Sequence, residues 1–452
     1  MSASGSSANL NSRCIAEIAR DLQSKSVSSA ELVEASIASI ERDPSAFTLV
    51  ARDRARQDAA ASDAMRSSGR SRSMLEGIPV SVKDLFDVEG EVTVAGSLAL
   101  RNAHAAMRDA PVVARLKRAG AIMVGRTHMS EFAFTGLGDN PHLPHCGNPH
   151  DRERVCGGSS SGAAASVGRG QVAMGLGTDT GGSVRIPSSF CGLTGFKPTQ
   201  SRVPCDGAFV LSKTQDSIGP ITRSVLSCTI ADKILAGSTV ALPAASSIRG
   251  LKFAVPQTYV LDSLDPHVAR SLDVWARRMS EAGASVESVA FPHFACLPEL
   301  FARGTIVNAE AHAHHSKLGL LARRDLYDPM VLARIDIGGR MSRAEIDHLF
   351  NERARLIELT REIAVGFDAL MLPTTPISAP RFDDLTDPVS FGRFNALALR
   401  NTSLINFLDC CAISLPMPVT EGLPAGLMLV GQNLQDQKLL SDALAVERVL
   451  NS

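Results

Sequence analysis

The stretch CGGSSSGAAASVGRGQVAMGLGTDTGGSVRIPSSFCGLTGFKP, residues 156–198, holds two Gly-Gly-Ser units and two short apolar runs. The runs, 172–177 and 193–196, read as short strands. The first unit is Gly157-Gly158-Ser159-Ser160-Ser161-Gly162, and the second is Thr178-Asp179-Thr180-Gly181-Gly182-Ser183. Upstream, Gly77 to Val82 reads as a strand ending at Lys83-Asp84. Asp109-Ala110-Pro111 starts a helix that runs to about Gly120. Ala121 to Gly125 is the next strand. Nearer the N-terminus, Ser28 with Glu31 has capping-box spacing, and Leu32, Ala35, Ile37 and Ile40 fall mostly on one face of the helix it starts. Downstream come strands over 250–255, 367–372 and 427–431, with helices over 265–282, 343–365 and 436–450. Strands alternating with helices predict an α/β fold whose central sheet is covered on both faces. The chain is expected to form one large domain over 9–452. Residues 1–8 are expected to be frayed, and 250–350 to be a mobile subregion.

Bulk properties narrow the function. The 452 residues carry a net charge of −1, with 44% apolar and 21% charged residues. Nucleic-acid binding needs a strong positive field, which is missing here. Aromatics at 4% are too few for base-stacking platforms. The nine cysteines are odd in number and form no Cys-x-x-Cys pair, which disfavours a disulfide scaffold or zinc ribbon. The N-terminus has no charged segment leading an apolar core, and no apolar run reaches membrane-span length. A cytoplasmic protein is expected.

A glycine- and serine-rich run is, on its own, most often a flexible loop. Neither run precedes Lys-Ser/Thr, so neither is a P-loop, and the order is wrong for a Rossmann turn. Consecutive amides in such a turn can converge on an anion. An anion forms transiently when a nucleophile attacks an amide carbonyl. The amides of Thr180, Gly181, Gly182 and Ser183 suit that role, with the Ser183 hydroxyl beside them. Serine needs a base. No histidine lies in a Gly-x-Ser-x-Gly context. His142, His145 and His150 share a proline-rich loop without helical ligand spacing, which disfavours a metal cluster. His312, His314 and His315 read as a solvated helix face. A lysine can serve if burial keeps it neutral, and Lys83 ends an apolar strand. Taken alone, a surface pairing of Lys83 with Asp84 is the plainer expectation.

Together these segments resemble the amidase-signature family. Gly77–Asp84 is similar to its lysine motif, Gly157–Gly162 to its first serine motif, and Gly177–Arg185 to its nucleophile motif. Cys191–Pro198, Leu372–Pro376 and Gly426–Gln432 match later segments, in order, from about residue 28 to the C-terminus. The resemblance implies a large mixed central β-sheet covered by helices on both faces. It implies a Ser–cis-Ser–Lys triad: Ser183 as nucleophile, Ser159 in a cis peptide with Gly158, and Lys83 as general base. It further implies an oxyanion hole at Thr180, Gly181, Gly182 and Ser183. Ser160 would support Lys83, and Asp179 would pair with Arg185 to hold the nucleophile loop. Amide hydrolysis through an acyl-enzyme would need no metal or cofactor. Family position places Phe132, Phe134, Thr135, Cys156, Thr374, Ile377 and Leu404 in the substrate pocket. Such an apolar lining favours aryl or alkyl amides.

One rival is the glutamine-hydrolysing component of a tRNA-dependent amidotransferase. That component carries an acidic residue where this chain has Leu399 or Arg400, so a stand-alone hydrolase of a small-molecule amide is preferred. A specialised hydrolase of ureido acids or dicarboxylic monoamides is a second rival. A non-catalytic binding protein is disfavoured because all three triad residues are present. Homodimers are common among similar proteins.

Overall fold

Apolar runs without polar alternation make strands that neither face of a sheet exposes to water. Segments of this kind, with the part-exposed edge strands Phe47–Val50 and Ser285–Val289, make up the eleven-stranded centre of the protein in a computed structural model, which describes residues 7–417 and 422–451. They are β1 (Phe47–Val50), β2 (Pro79–Lys83), β3 (Ile122–Thr127), β4 (Met174–Asp179), β5 (Thr194–Lys197) and β6 (Ser217–Thr222). The rest are β7 (Lys252–Pro256), β8 (Ser285–Val289), β9 (Ala369–Pro373), β10 (Cys411–Met417) and β11 (Ala425–Gly431). They join one sheet in the order β1-β3-β2-β4-β6-β5-β10-β11-β9-β7-β8. The sheet is mixed. β2 pairs in parallel with β3 and β4, and β7 with β8 and β9; the central ladders are antiparallel.

Successive side chains of a strand point to opposite faces, and here both faces lead into apolar cores. In β3, Met123 packs with Val80, Val82 and Val112. Its neighbours Ile122 and Val124 pack with Val33, Ile37 and Val167 on the other side. In β11, Leu427 and Leu429 join the cluster around Trp275, while Met428 and Val430 join that around Phe291 and Phe407.

Several elements follow from local chemistry. Ser28 caps the helix Ser29–Arg42, accepting the Glu31 amide while Glu31 accepts the Ser28 amide. Pro111 opens Pro111–Arg118 and Pro266 opens Pro266–Glu281. The helices Arg343–Ala364 and Asp436–Leu450 lie where periodicity places them. Four strands were not read from the sequence: β1, β6, β8 and β10. In β6, Pro220 cannot donate to a ladder and masks a central strand. The segment 250–350 is tied into the sheet through β7, which pairs with β9. Residues 1–6 lie outside the described residues, and Ser7–Ser12 is a short 3-10 helix.

Candidate active site

β2 and β4 are parallel neighbours, and their carboxyl ends open at the same point. Ligands of α/β sheets gather at such ends. Lys83 is the last residue of β2 and Asp179 the last of β4. Ser159 stands just before the helix Ser161–Gly168, which packs on both strands. The Gly158–Ser159 peptide is cis. A Cβ on Gly158 would lie 2.5 Å from the Gly138 nitrogen and 2.8 Å from Ser130 Oγ, so only glycine lets these backbones meet.

Lys83 is fully buried. Its Nζ lies 2.7 Å from Ser159 Oγ and 2.8 Å from Thr178 Oγ1, and no carboxylate of the described residues touches it. Burial pushes its pKa down to about 7, against the upward pull of the more distant Asp179 and Asp216. Asp84 turns away to Arg126, 3.1 Å distant. Ser160 does not reach Lys83. Its hydroxyl faces the Thr178 carbonyl at 3.4 Å, and its amide donates to the Ser183 carbonyl at 3.3 Å. Thr178, inside the second glycine motif, takes the supporting position that Ser160 was expected to hold. The arm from Ser159 to Ser183 is not closed as a hydrogen bond among the described residues. Contacts of this kind commonly tighten only with substrate bound.

The turn after β4 is organised by Asp179. Its carboxylate accepts Arg185 Nε at 3.0 Å and an Arg185 terminal nitrogen at 2.8 Å, with both side chains fully buried. It also accepts Asn406 Nδ2 and the amides of Gly182 and Val184. Against burial, Arg185, with help from Lys197 and Asn406, holds its pKa down to about 2. The Gly182 amide, expected in the oxyanion hole, is therefore committed to Asp179 at 2.9 Å. The amides of Thr180, Gly181 and Ser183 have no acceptor among the described residues. Thr180 is fixed by its hydroxyl, which donates to half-buried Asp216 at 2.6 Å. Gly182 has φ 128°. A side chain there would also collide with Thr402.

Ser183, Thr180 and Gly181 line a cavity of about 620 Å³, together with Phe134 and Thr135. The other expected pocket residues lie elsewhere. Phe132 packs on Phe209, His315 and Tyr327 in the core, with centroids 4.5–5.2 Å away. Cys156 Sγ donates to the Cys146 carbonyl at 3.0 Å. Thr374 Oγ1 meets Ser414 Oγ at 2.7 Å. Ile377 and Leu404 pack into apolar clusters. In the helix Pro388–Phe407, it is Leu399, Arg400 and Ser403 that face the cavity. Nor is the lining purely apolar. Arg303, Arg334, Arg340 and Arg400 contribute to it, against one carboxylate, Glu345. His142, His145 and His150 go separately to Glu131, Asp139 and the Cys191 carbonyl.

The profile of the amidase family matches residues 31–440. The chain belongs to the amidase family. At that level it is a hydrolase of amide C–N bonds. It is 36% identical to a 2-amino-5-chloromuconic acid deaminase of Comamonas testosteroni, over 88% of this chain and 87% of the relative. A glutamyl-tRNA(Gln) amidotransferase component from Anaeromyxobacter sp. (strain K) is 34% identical, over 96% of this chain and 95% of the relative. The crystal structure of an amidase superposes with a TM-score of 0.88 at 31% identity, covering 97% of this chain and all of that one. No helix among the described residues of this amidase-family chain is long and apolar enough to cross a membrane.

Proposed function

We propose that this amidase-family protein hydrolyses a small-molecule carboxylic amide through an acyl-enzyme on Ser183. Neutral Lys83 takes a proton from Ser159 as Ser159 takes one from Ser183, and Ser183 Oγ bonds to the amide carbon. The oxyanion rests on the Thr180, Gly181 and Ser183 amides. The proton returns through Ser159 to the leaving nitrogen, and the C–N bond breaks. Water then attacks the ester by the same relay, releasing the carboxylate.

The observation that carries this reading is the Lys83–Ser159 contact of 2.7 Å around a buried lysine that no carboxylate of the described residues touches. A paired ammonium could not act as a base; a desolvated amine can. A fluorophosphonate probe is expected to label the protein, and Ser183→Ala to abolish labelling. Persistent labelling of that variant would place the nucleophile elsewhere.

The cavity supports a stand-alone hydrolase over a glutamine-hydrolysing component of a larger complex. Glutamine presents an ammonium, and the one lining carboxylate among the described residues, Glu345, is engaged by Arg303 at 2.8 Å and by the Ser342 amide. No glutaminase activity is therefore expected from the purified chain. A cytoplasmic location fits the nine cysteines, all of them free.

A further inference from the structure

A carboxylate withdrawn from water normally meets a cation, because an unpaired charge is costly to desolvate. Asp179 meets Arg185, Asp84 meets Arg126, and Asp232 meets Arg202. Asp216 breaks the rule. Among the described residues its carboxylate accepts only neutral donors: the Thr180 hydroxyl at 2.6 Å and the amides of Leu211 and Ser212 at 3.0 Å each. Its negative charge is therefore oriented but not cancelled.

Strand register sets that charge behind the catalytic turn. β4 and β6 are antiparallel, with Thr178 opposite Ile218 and Asp179 opposite Ser217. Asp216 is the next residue along one strand, and Thr180 the next along the other. Thr178, Thr180, Asp216 and Ile218 border one small gap. Thr178 is also the residue whose hydroxyl meets Lys83 Nζ at 2.8 Å. One carboxylate thus bonds the oxyanion turn and shares a gap with the side chain that steadies the base.

The loop carrying Asp216 is pinned from outside. Glu310, on the helix Ile306–Lys317, accepts the Ser212 hydroxyl, and the Thr214 amide and hydroxyl at 3.1 Å each. Leu211 and Gln215 of the same loop line the catalytic cavity. The titratable groups facing Asp216 are Glu310, Cys205 and Lys83. Those facing Lys83 are Asp179 and Asp216, and Asp179 already answers to Arg185. Burial lifts the Asp216 pKa to about 6, aided by Glu310 and opposed by its three donors. Asp216 is therefore ionised where Lys83 titrates, near 7.

We propose that Asp216 is a positioning residue for acylation: its carboxylate orients Thr180 in the oxyanion turn and, as an anion that no cation cancels, stabilises the proton that Lys83 accepts. The inference rests on the hydrolase reading above. As Ser183 attacks, Lys83 becomes positive and the substrate oxygen negative. The fixed anion favours the first change, and the Thr180 amide, held in place through its own side chain, favours the second.

The test uses the full chain and a fluorophosphonate, whose reaction with Ser183 draws on both the base and the oxyanion donors. The second-order rate constant of labelling is measured against pH. In the wild type it should rise to a plateau with a midpoint near 7. Asp216→Asn is expected to lower the plateau at least about tenfold and to move the midpoint down by about half a unit or more, because the ammonium loses its anion. Loss of a merely structural contact would lower the plateau and leave the midpoint in place. Asp216→Glu keeps the charge and should bring the midpoint back toward its wild-type position. Thr180→Val deletes the same hydrogen bond from the other side and should also slow labelling at least about tenfold. That variant decides the matter if circular dichroism shows Asp216→Asn unfolded. A midpoint that stays or rises in folded Asp216→Asn, or a plateau within about twofold of wild type in either variant, overturns the inference. Labelling of the wild type with any of those results sinks this inference alone; a wild type that is not labelled sinks the hydrolase reading and this inference with it.

Discussion

A primary amine in water keeps its proton well above neutral pH; Lys83 loses it near neutrality because protein replaces its hydration shell. Its pKa falls from an ordinary 10.5 to about 7. The protonated form cannot accept hydrogen, so kcat/KM should fall tenfold per unit below about pH 7 and level off above it, in a pH–rate profile. The same shift has a stability consequence of definite sign. Between about 7 and 10.5 the unfolded chain binds more protons at this residue than the folded one, so its contribution to stability rises with pH across that window. Lys83→Met should therefore raise the thermal midpoint relative to wild type, most at pH 6 and progressively less toward pH 10, while abolishing turnover. At this scale the sequence was only partly legible. Lys83-Asp84 looks like a surface ion pair until Asp84 is seen on Arg126. Thr178 enters only through the register that sets Val82 beside Leu176 on the neighbouring strand.

Short elements hold the reacting groups, and their tolerances are set by contacts several turns away. The turn after β4 depends on a carboxylate and a guanidinium that share full burial with Thr402 and Asn406. Removing one partner of such a pair strands the other, at a cost of about 3–5 kcal/mol. Asp179→Ala should lose about that much in urea denaturation. Arg185→Lys should rescue little, because an ammonium cannot serve Asp179, Thr402 and Asn406 in one plane. Gly182→Ala should cut kcat at least tenfold with the global fold intact by circular dichroism. Thr402→Ala added to it relieves the collision but not the positive φ. Helices with clear caps and one apolar face were readable. Pro388–Phe407 was not, since its last turns bury Asn401, Thr402, Leu404, Ile405, Asn406 and Phe407 together and leave no polar face to set a period. Family position put Leu404 in the cavity, where Leu399 and Ser403 stand instead.

The α/β class and a sheet covered on both faces followed from runs such as Ile78–Val82, whereas strand order did not, because nothing local in β6 or β10 specifies β5 as their shared neighbour. The cavity is a product of that order. One wall comes from the turn after β4 and from Ala133–Thr135, the others from segments between 300 and 345 and from the helix Pro388–Phe407, far away in sequence. Arg303, Arg334 and Arg340 were invisible beforehand because a helix pattern does not say which residue meets which loop. With all nine cysteines free, added reductant should leave the thermal midpoint unchanged. The cationic wall also bears on how a catalytic cycle ends. Hydrolysis of an amide there creates a carboxylate, so the acid that departs is drawn to the lining arginines more strongly than the compound that arrived. The spent acid should therefore compete with fresh substrate, and added salt should loosen its hold.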